Sequence, residues 1–209
     1  MPSLHVILTT AVALVCCTSA VSALPNIYTK RTTTSSLRVP LNGLPAPEGL
    51  TLRYVALGQG TQNYTCANTT SAPVAIGAVA TLYDATSLIT ASPIVIPNLT
   101  ALAYSVGSSL GLPTLGHHWF SASGVPTFSL EAADPRAFLS AKKVNSVAAP
   151  KFSVPNSVAW LYLRDDGRGI SRGLKAVYRV ETAGGGPPAA CVEVGELAIK
   201  YAAEYWFFD

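Results

Sequence analysis

Apolar and polar residues alternate along most of the chain after residue 49, and a period of two residues is typical of half-buried β-strands. One face of the last predicted strand carries Ile199, Tyr201, Ala203, Tyr205 and Phe207. The pattern predicts strands over residues 50–56, 61–66, 74–83, 115–121, 127–130, 158–163, 175–182 and 199–208. A turn is predicted at Gly58-Gln59-Gly60, between the first two of them.

One helix is predicted, over residues 135–143, because Asp134 is a good N-cap and Pro135 suits the first helical position. Residues 94–96 lie between Pro93 and Pro97, which favours an edge strand or a loop. Short strands separated by turn residues, with almost no helical period, predict an all-β fold. We expect an antiparallel β-sandwich or barrel with at most one short helix.

The N-terminus predicts a secretory signal peptide over residues 1–23. Residues 6–17 form an apolar run, and Val21-Ser22-Ala23 resembles a cleavage site. The run is too short to cross a bilayer, so no membrane span is expected. The mature protein is therefore expected to be secreted and extracellular.

Residues 24–48 are rich in Pro, Thr and Ser, which predicts an extended arm, and residues 49–209 then form a single β domain. Lys30-Arg31 within the arm is either a dibasic processing site or a pair of ordinary surface charges.

Two cysteines, Cys66 and Cys191, remain after the signal peptide. In a secreted chain one disulfide between them is the expected outcome. The chain also holds three Asn-x-Thr sequons, each a predicted N-glycosylation site: Asn63, Asn68 and Asn98.

Composition narrows the class of protein. Hydrophobic residues make up 49% of the chain and charged residues 12%, so the chain can bury a core. The net charge is only +3 and no basic face is clustered, so we expect no nucleic-acid partner.

Two motifs resemble catalytic or cofactor sequences but lack the context they need. Residues 107–111 match G-x-S-x-G, yet Pro113 stands where a helix should run, and no acid lies between Ser109 and His117. A Ser/Gly turn is therefore predicted. Gly58-Gln59-Gly60 lacks the third glycine of a dinucleotide fingerprint, since Asn63 takes its place. The sequence predicts no cofactor.

His117 and His118 stand beside Trp119 and Phe120 and form the best site candidate. Neighbouring residues of a strand point to opposite faces, so the two histidines cannot jointly hold one metal ion. The favoured interpretation is one buried, hydrogen-bonded histidine and one exposed histidine. Alternatively, His118 acts in a site, with Arg179 as the first candidate for a neighbour.

An ordered set of segments resembles a known family. The segments are G-T-Q-N-Y-T-C at 60–66, G-H-H-W-F at 116–120, W-L-Y-L at 160–163, Y-R-V at 178–180 and Y-A-A-E-Y-W-F at 201–207. The family is a domain of unknown function found in secreted fungal proteins, with bacterial relatives. Its members often carry the name malate dehydrogenase. The resemblance implies placement but no activity, and a β-rich chain does not predict the two-domain α/β fold of a malate dehydrogenase.

We expect a secreted glycoprotein with a binding or cell-surface interaction role, and a carbohydrate or a component of a cell wall or host surface as partner. The alternative is a small-molecule enzyme or hydrolase centred on His118. A pocket that gathers His118, Arg179 and a carboxylate would favour the enzyme, and a flat exposed aromatic strip would favour the binding protein.

Overall fold

A computed structural model describes residues 37–92, 96–151 and 153–209. In these residues eight strands follow one another: β1 (Leu52–Cys66), β2 (Val74–Asp84), β3 (Thr114–Phe120), β4 (Pro126–Leu130), β5 (Ala137–Val147), β6 (Trp160–Asp165), β7 (Ala176–Gly184) and β8 (Gly195–Phe208). Two helices connect β2 to β3: α1 (Thr86–Ala91) and α2 (Ile96–Val106).

The strands form a closed antiparallel barrel. Each strand pairs with the next one along the chain, and β8 returns to pair with β1, so that Gln59 lies between Thr81 and Ala202. Closure leaves no free sheet edge. The predicted all-β antiparallel fold is confirmed as a barrel, and only one of its two helices is longer than six residues.

The turn predicted at Gly58-Gln59-Gly60 is wrong, because β1 runs straight through it. These glycines do not turn the chain, and instead they allow neighbouring groups to approach the strand closely. A Cβ on Gly58 would clash with the ring of Tyr205, and one on Gly60 would clash with the carbonyl oxygen of Val79. Glycine within a strand often marks such a close approach.

The helix predicted over 135–143 is also wrong, since those residues lead into and form part of β5. The strand pairs with β4 on one side and β6 on the other, and these ladders outweigh the local N-cap signal. Ala137, Leu139 and Ala141 are buried, and burial at every second position is typical of a strand. The N-cap signal of Asp134 had favoured a helix over this period.

The helices were not predicted. Ile96, the last residue of the expected edge strand or loop, begins α2, while residues 94 and 95 lie outside the described part. Both helices pack on the outside of the barrel through apolar residues that are fully or almost fully buried, namely Ile89, Leu99 and Ala103.

Two apolar clusters lie on the two faces of the barrel wall. The inner cluster fills part of the barrel and includes Leu82, Phe128, Leu130, Leu139 and Phe207. The outer cluster lies between the wall, the helices and residues 37–50, and includes Val39, Leu44, Trp160, Tyr178 and Trp206. The described part of the predicted arm, residues 37–48, therefore packs on the domain, and the hydroxyl of Tyr178 donates to the carbonyl oxygen of Pro45.

The predicted signal peptide and Lys30-Arg31 lie outside the described residues. Within the described part of the chain, neither helix has the length and apolar character needed to cross a membrane.

Candidate functional site

A cavity of about 790 Å³ opens at one end of the barrel. Its mouth lies where β1 turns into β2, β3 into β4, β5 into β6 and β7 into β8, because these four turns are at the same end of an up-and-down barrel. The walls are inward-facing side chains, most of them apolar, including Phe120, Phe128, Leu161 and Leu163. His118 and Arg179 both line this cavity.

His118 is buried and held in one orientation. Its Nδ1–H donates to the carbonyl oxygen of Thr127 at 2.8 Å, and its ring stacks on Phe128 with 4.2 Å between centroids. The antiparallel register places Phe128 directly opposite His118 and so creates this stack. Burial lowers the pKa of His118 to about 4. The imidazole is therefore neutral at physiological pH, and the bond to Thr127 leaves Nε2 as the acceptor nitrogen.

His117 lies on the opposite face of β3. Its side chain is 55% exposed, and Nδ1 is 3.5 Å from Oε2 of Glu131. One histidine is thus buried and hydrogen-bonded and the other is exposed, which is the arrangement that strand alternation favours.

Arg179 is a buried cation that has no carboxylate partner among the described residues. Only 9% of the residue is exposed. Its Nη1 donates to Oε1 of Gln62 at 3.3 Å and its Nη2 to the carbonyl oxygen of Ala159 at 2.9 Å, while the buried Nε has no hydrogen-bond partner. The ion pairs of the described residues do not include Arg179, and the described lining of the cavity contains no Asp or Glu.

The charge of Arg179 influences several groups around it. Burial raises the pKa of Tyr64 and of Tyr205, and the guanidinium opposes both shifts by favouring the phenolate. Burial lowers the pKa of His118, and the same guanidinium lowers it further. Arg179 is therefore the electrostatic centre of the cavity, with a neutral imidazole and neutral phenols as its neighbours.

The mouth of the cavity is tied together by covalent and polar contacts. Cys66, the last residue of β1, forms a disulfide with Cys191 in the β7–β8 loop, which confirms the predicted bond. The hydroxyl of Tyr64 donates to the carbonyl oxygen of Gly185 in the same loop at 2.6 Å. Lys142 and Lys143 are exposed and line the rim, so the charges of the described lining are all positive.

The two motifs that resemble catalytic or cofactor sequences do not line the cavity. Residues 107–111 follow the end of α2, and Gly107, Leu110 and Gly111 have positive φ angles, so this segment is a turn as predicted. Gly58 and Gly60 lie within β1, which continues as a strand to Cys66 without the helix that a dinucleotide fingerprint needs. No group of three or more His, Cys, Asp or Glu side chains suited to a metal ion occurs in the residues that the structure describes.

The three sequons remain predicted glycosylation sites. Asn98 is exposed on α2, and Asn68 is exposed in the β1–β2 turn, where its Oδ1 accepts from the backbone of Ser71. Asn63 is half-buried on β1, and its Oδ1 accepts from the hydroxyl of Thr61.

The sequence pattern did not identify Gln62 and Tyr205 as residues of the site. Both face inward with Arg179, and strand pairing places Tyr205 directly opposite Arg179. The period of two along β8 could have identified Tyr205, but the closed barrel was needed to bring Gln62 to Arg179. The aromatic side chains of β8 are all buried, so β8 presents no flat exposed aromatic strip.

Comparison with family models gives a match over most of the chain. No curated protein matches this chain, and no solved structure matches it. The family described as "Protein of unknown function (DUF3455)" matches residues 45–209, which includes every strand of the barrel. This chain therefore belongs to the DUF3455 family.

Proposed function

We propose that the domain is a secreted binding protein that takes a small, largely apolar molecule into its barrel. The observation that carries the proposal is the cavity of about 790 Å³ at the open end of the barrel. Ligand pockets of proteins commonly enclose about 300–1,000 Å³ and combine apolar walls with a few placed polar groups. Here the polar groups include Gln62, His118, Arg179 and Tyr205.

The geometry supports binding better than catalysis by His118. A general base works best when its pKa lies near the working pH, whereas burial lowers that of His118 to about 4. The Nδ1–H is already committed to Thr127, and the described lining offers no carboxylate to orient the ring from inside the cavity. The described lining thus gathers His118 and Arg179 but holds no carboxylate, the third group expected of an enzyme.

The name malate dehydrogenase finds no support in this fold. A dinucleotide-binding domain has a parallel sheet with helices on both faces, whereas all strand pairs here are antiparallel. A carbohydrate platform on β8 also lacks support, because its aromatic rings are buried. An apolar ligand inside the barrel replaces the surface sugar in the proposal, and the disulfide supports the secreted location.

A neutral apolar dye, N-phenyl-1-naphthylamine, tests the proposal by fluorescence titration of the purified domain. We expect saturable binding of one dye molecule per barrel. Ser146 lies at the rim of the cavity, so Ser146→Trp should weaken dye binding by about tenfold or more by obstructing the mouth. Val144→Trp is the matched control, since Val144 is exposed on the same strand and is not part of the lining. Absence of saturable binding, or equal weakening by both variants, would overturn the proposal.

A further inference from the structure

We infer that the ligand of this cavity is an amphipathic anion, with an apolar body along the barrel walls and one anionic head group paired with Arg179. The inference rests on the proposed function and adds the chemical class of the ligand. The head group can be a carboxylate or a phosphate or sulfate ester, because a guanidinium recognises the planar and tetrahedral oxyanions alike.

Arg179 has no counter-charge among the described residues. A buried guanidinium is costly unless an anion or a complete set of hydrogen bonds compensates its lost hydration. Arg179 is nine-tenths buried, forms no ion pair within the described residues, and faces a cavity whose described lining has no acidic side chain. A ligand anion in the cavity would supply the charge that the protein itself does not provide.

Arg179 also has more N–H donors than its partners use. A guanidinium carries five N–H groups and has no acceptor. Hydrogen bonds to Gln62 and Ala159 use two of them, and the phenol of Tyr205 is a third neighbour, whose rise in pKa the guanidinium opposes. Nε remains without a partner. A role limited to joining β1 and β7 to the residue before β6 would not need a residue with unused donors at the wall of a cavity.

The charges around the cavity favour an anion over a cation. His118 is neutral, so it does not repel a cation, but Arg179 does, and no described acidic group of the lining offsets it. Lys142 and Lys143 at the rim add further positive charge. An anion is therefore attracted by the rim and by Arg179, while the apolar walls of the cavity favour a hydrocarbon or aromatic body.

The test compares ligands that differ only in the head group. Decanoate, decyl phosphate and decan-1-ol compete with N-phenyl-1-naphthylamine at concentrations below micelle formation. We expect at least one anion to displace the dye at a concentration about tenfold or more below that of decan-1-ol. The ratio of decanoate to decyl phosphate identifies the preferred head group.

Two variants tie the preference to Arg179. Arg179→Met keeps an apolar side chain of similar length and should reduce the preference for the anion over decan-1-ol to about twofold or less. Arg164→Met is the control, because this substitution removes the same charge from the protein. Arg164 is exposed on β6 and does not line the cavity. If Arg179→Met does not fold, Gln62→Glu keeps the guanidinium and places a carboxylate beside its Nη1, and it should lower anion binding in the same direction.

The outcomes separate this inference from the proposed function. If the dye binds but the anions and decan-1-ol compete equally, the barrel is a binding protein and the inference is wrong. If the anion preference persists in Arg179→Met and is lost in Arg164→Met, the head group lies elsewhere and the inference is wrong. If the dye does not bind at all, the proposed function itself fails.

Discussion

The two faces of the barrel wall bury ionisable groups in different ways. The inner face leaves a cavity and places Arg179 and His118 along it. The outer face is covered by α2 and by residues 37–50, and it places Glu204 in a filled apolar layer, fully buried, with Trp206 Nε1 donating to its Oε2 at 3.0 Å.

The pKa shifts on the two faces have opposite directions. Burial raises the pKa of Glu204 to about 8 and lowers that of His118 to about 4, because burial disfavours the charged form of each group. Both groups are therefore neutral near pH 7, and Arg179 is the charge that stays. A cation kept beside a cavity suits the proposed anionic ligand, whereas a neutral acid enclosed in a packed layer suits the fold alone.

The largest change in the free energy of unfolding is expected at the open end of the barrel, where the disulfide lies. Cys66 and Cys191 close a loop across 125 positions of sequence, and removal of a native disulfide from a small secreted domain costs about 2–5 kcal/mol. The double variant Cys66→Ser/Cys191→Ser should show that loss in guanidinium chloride unfolding. Hydrogen exchange should quicken most at the end of β1, while amides beneath α2 change with global stability only. A change below about 1 kcal/mol would mean that polar contacts such as Tyr64 to Gly185 suffice to hold the mouth.

The architecture could be predicted from sequence because a period of two survives wherever one face of a strand is buried. The prediction from sequence failed where a contact with a residue distant in sequence decides the local conformation. Gly58 makes room for Tyr205, which lies on the last strand, and Asp134 resembles an N-cap although the residues after it pair with β4 and β6. Local signals carry no information on such contacts.

A smaller change in stability is expected from Glu204→Gln on the outer face of the barrel wall. Because the folded pKa is raised from 4.5 to about 8, stability from this group is full below about pH 4.5 and is lost as pH rises towards 8. The slope is at most about 1.4 kcal/mol per pH unit. Glu204→Gln should remove this slope in urea unfolding series and be more stable than wild type at pH 8.

Glu196→Gln is the control for that experiment, since Glu196 is exposed on the same strand. Glu181 also has a pKa raised by burial and its charge opposes ionisation of Glu204, so the double variant Glu181→Gln/Glu204→Gln should flatten any slope that remains. An unchanged slope in Glu204→Gln would contradict the enclosed, neutral carboxyl.

The candidate site was only partly predictable for the same physical reason as the fold. His118 and Arg179 could be nominated because their side chains carry chemistry and lie in segments that resemble the family. Gln62 and Ala159 hold Arg179 from strands or loops far away in sequence, and Tyr205 was assigned to a face without knowledge of what lay opposite. The missing counter-charge of Arg179 is a property of the assembled cavity and has no signature in the sequence.

The smallest change in stability is expected from His118→Gln. The contribution of His118 to stability depends on pH with the opposite sign to that of Glu204. Because the folded pKa of His118 is lowered from 6.5 to about 4, its contribution to stability is full above about pH 6.5 and is lost as pH falls towards 4. The two slopes overlap and partly cancel in wild type between about pH 4.5 and 6.5. We therefore place His118→Gln in the Glu204→Gln background, where the slope of His118 stands alone, at most about 1.4 kcal/mol per pH unit.

His117→Gln is the matched control, because His117 is the neighbouring residue and its side chain is exposed. We expect His118→Gln to lower the melting temperature at pH 7 through loss of the stack on Phe128, to remove the acid-side slope, and to retain decanoate binding, since the head group pairs with Arg179. Normal melting with lost ligand binding would instead place His118 in direct contact with the ligand. A variant equal to wild type in melting, slope and binding would show that the buried imidazole contributes to neither the fold nor the site.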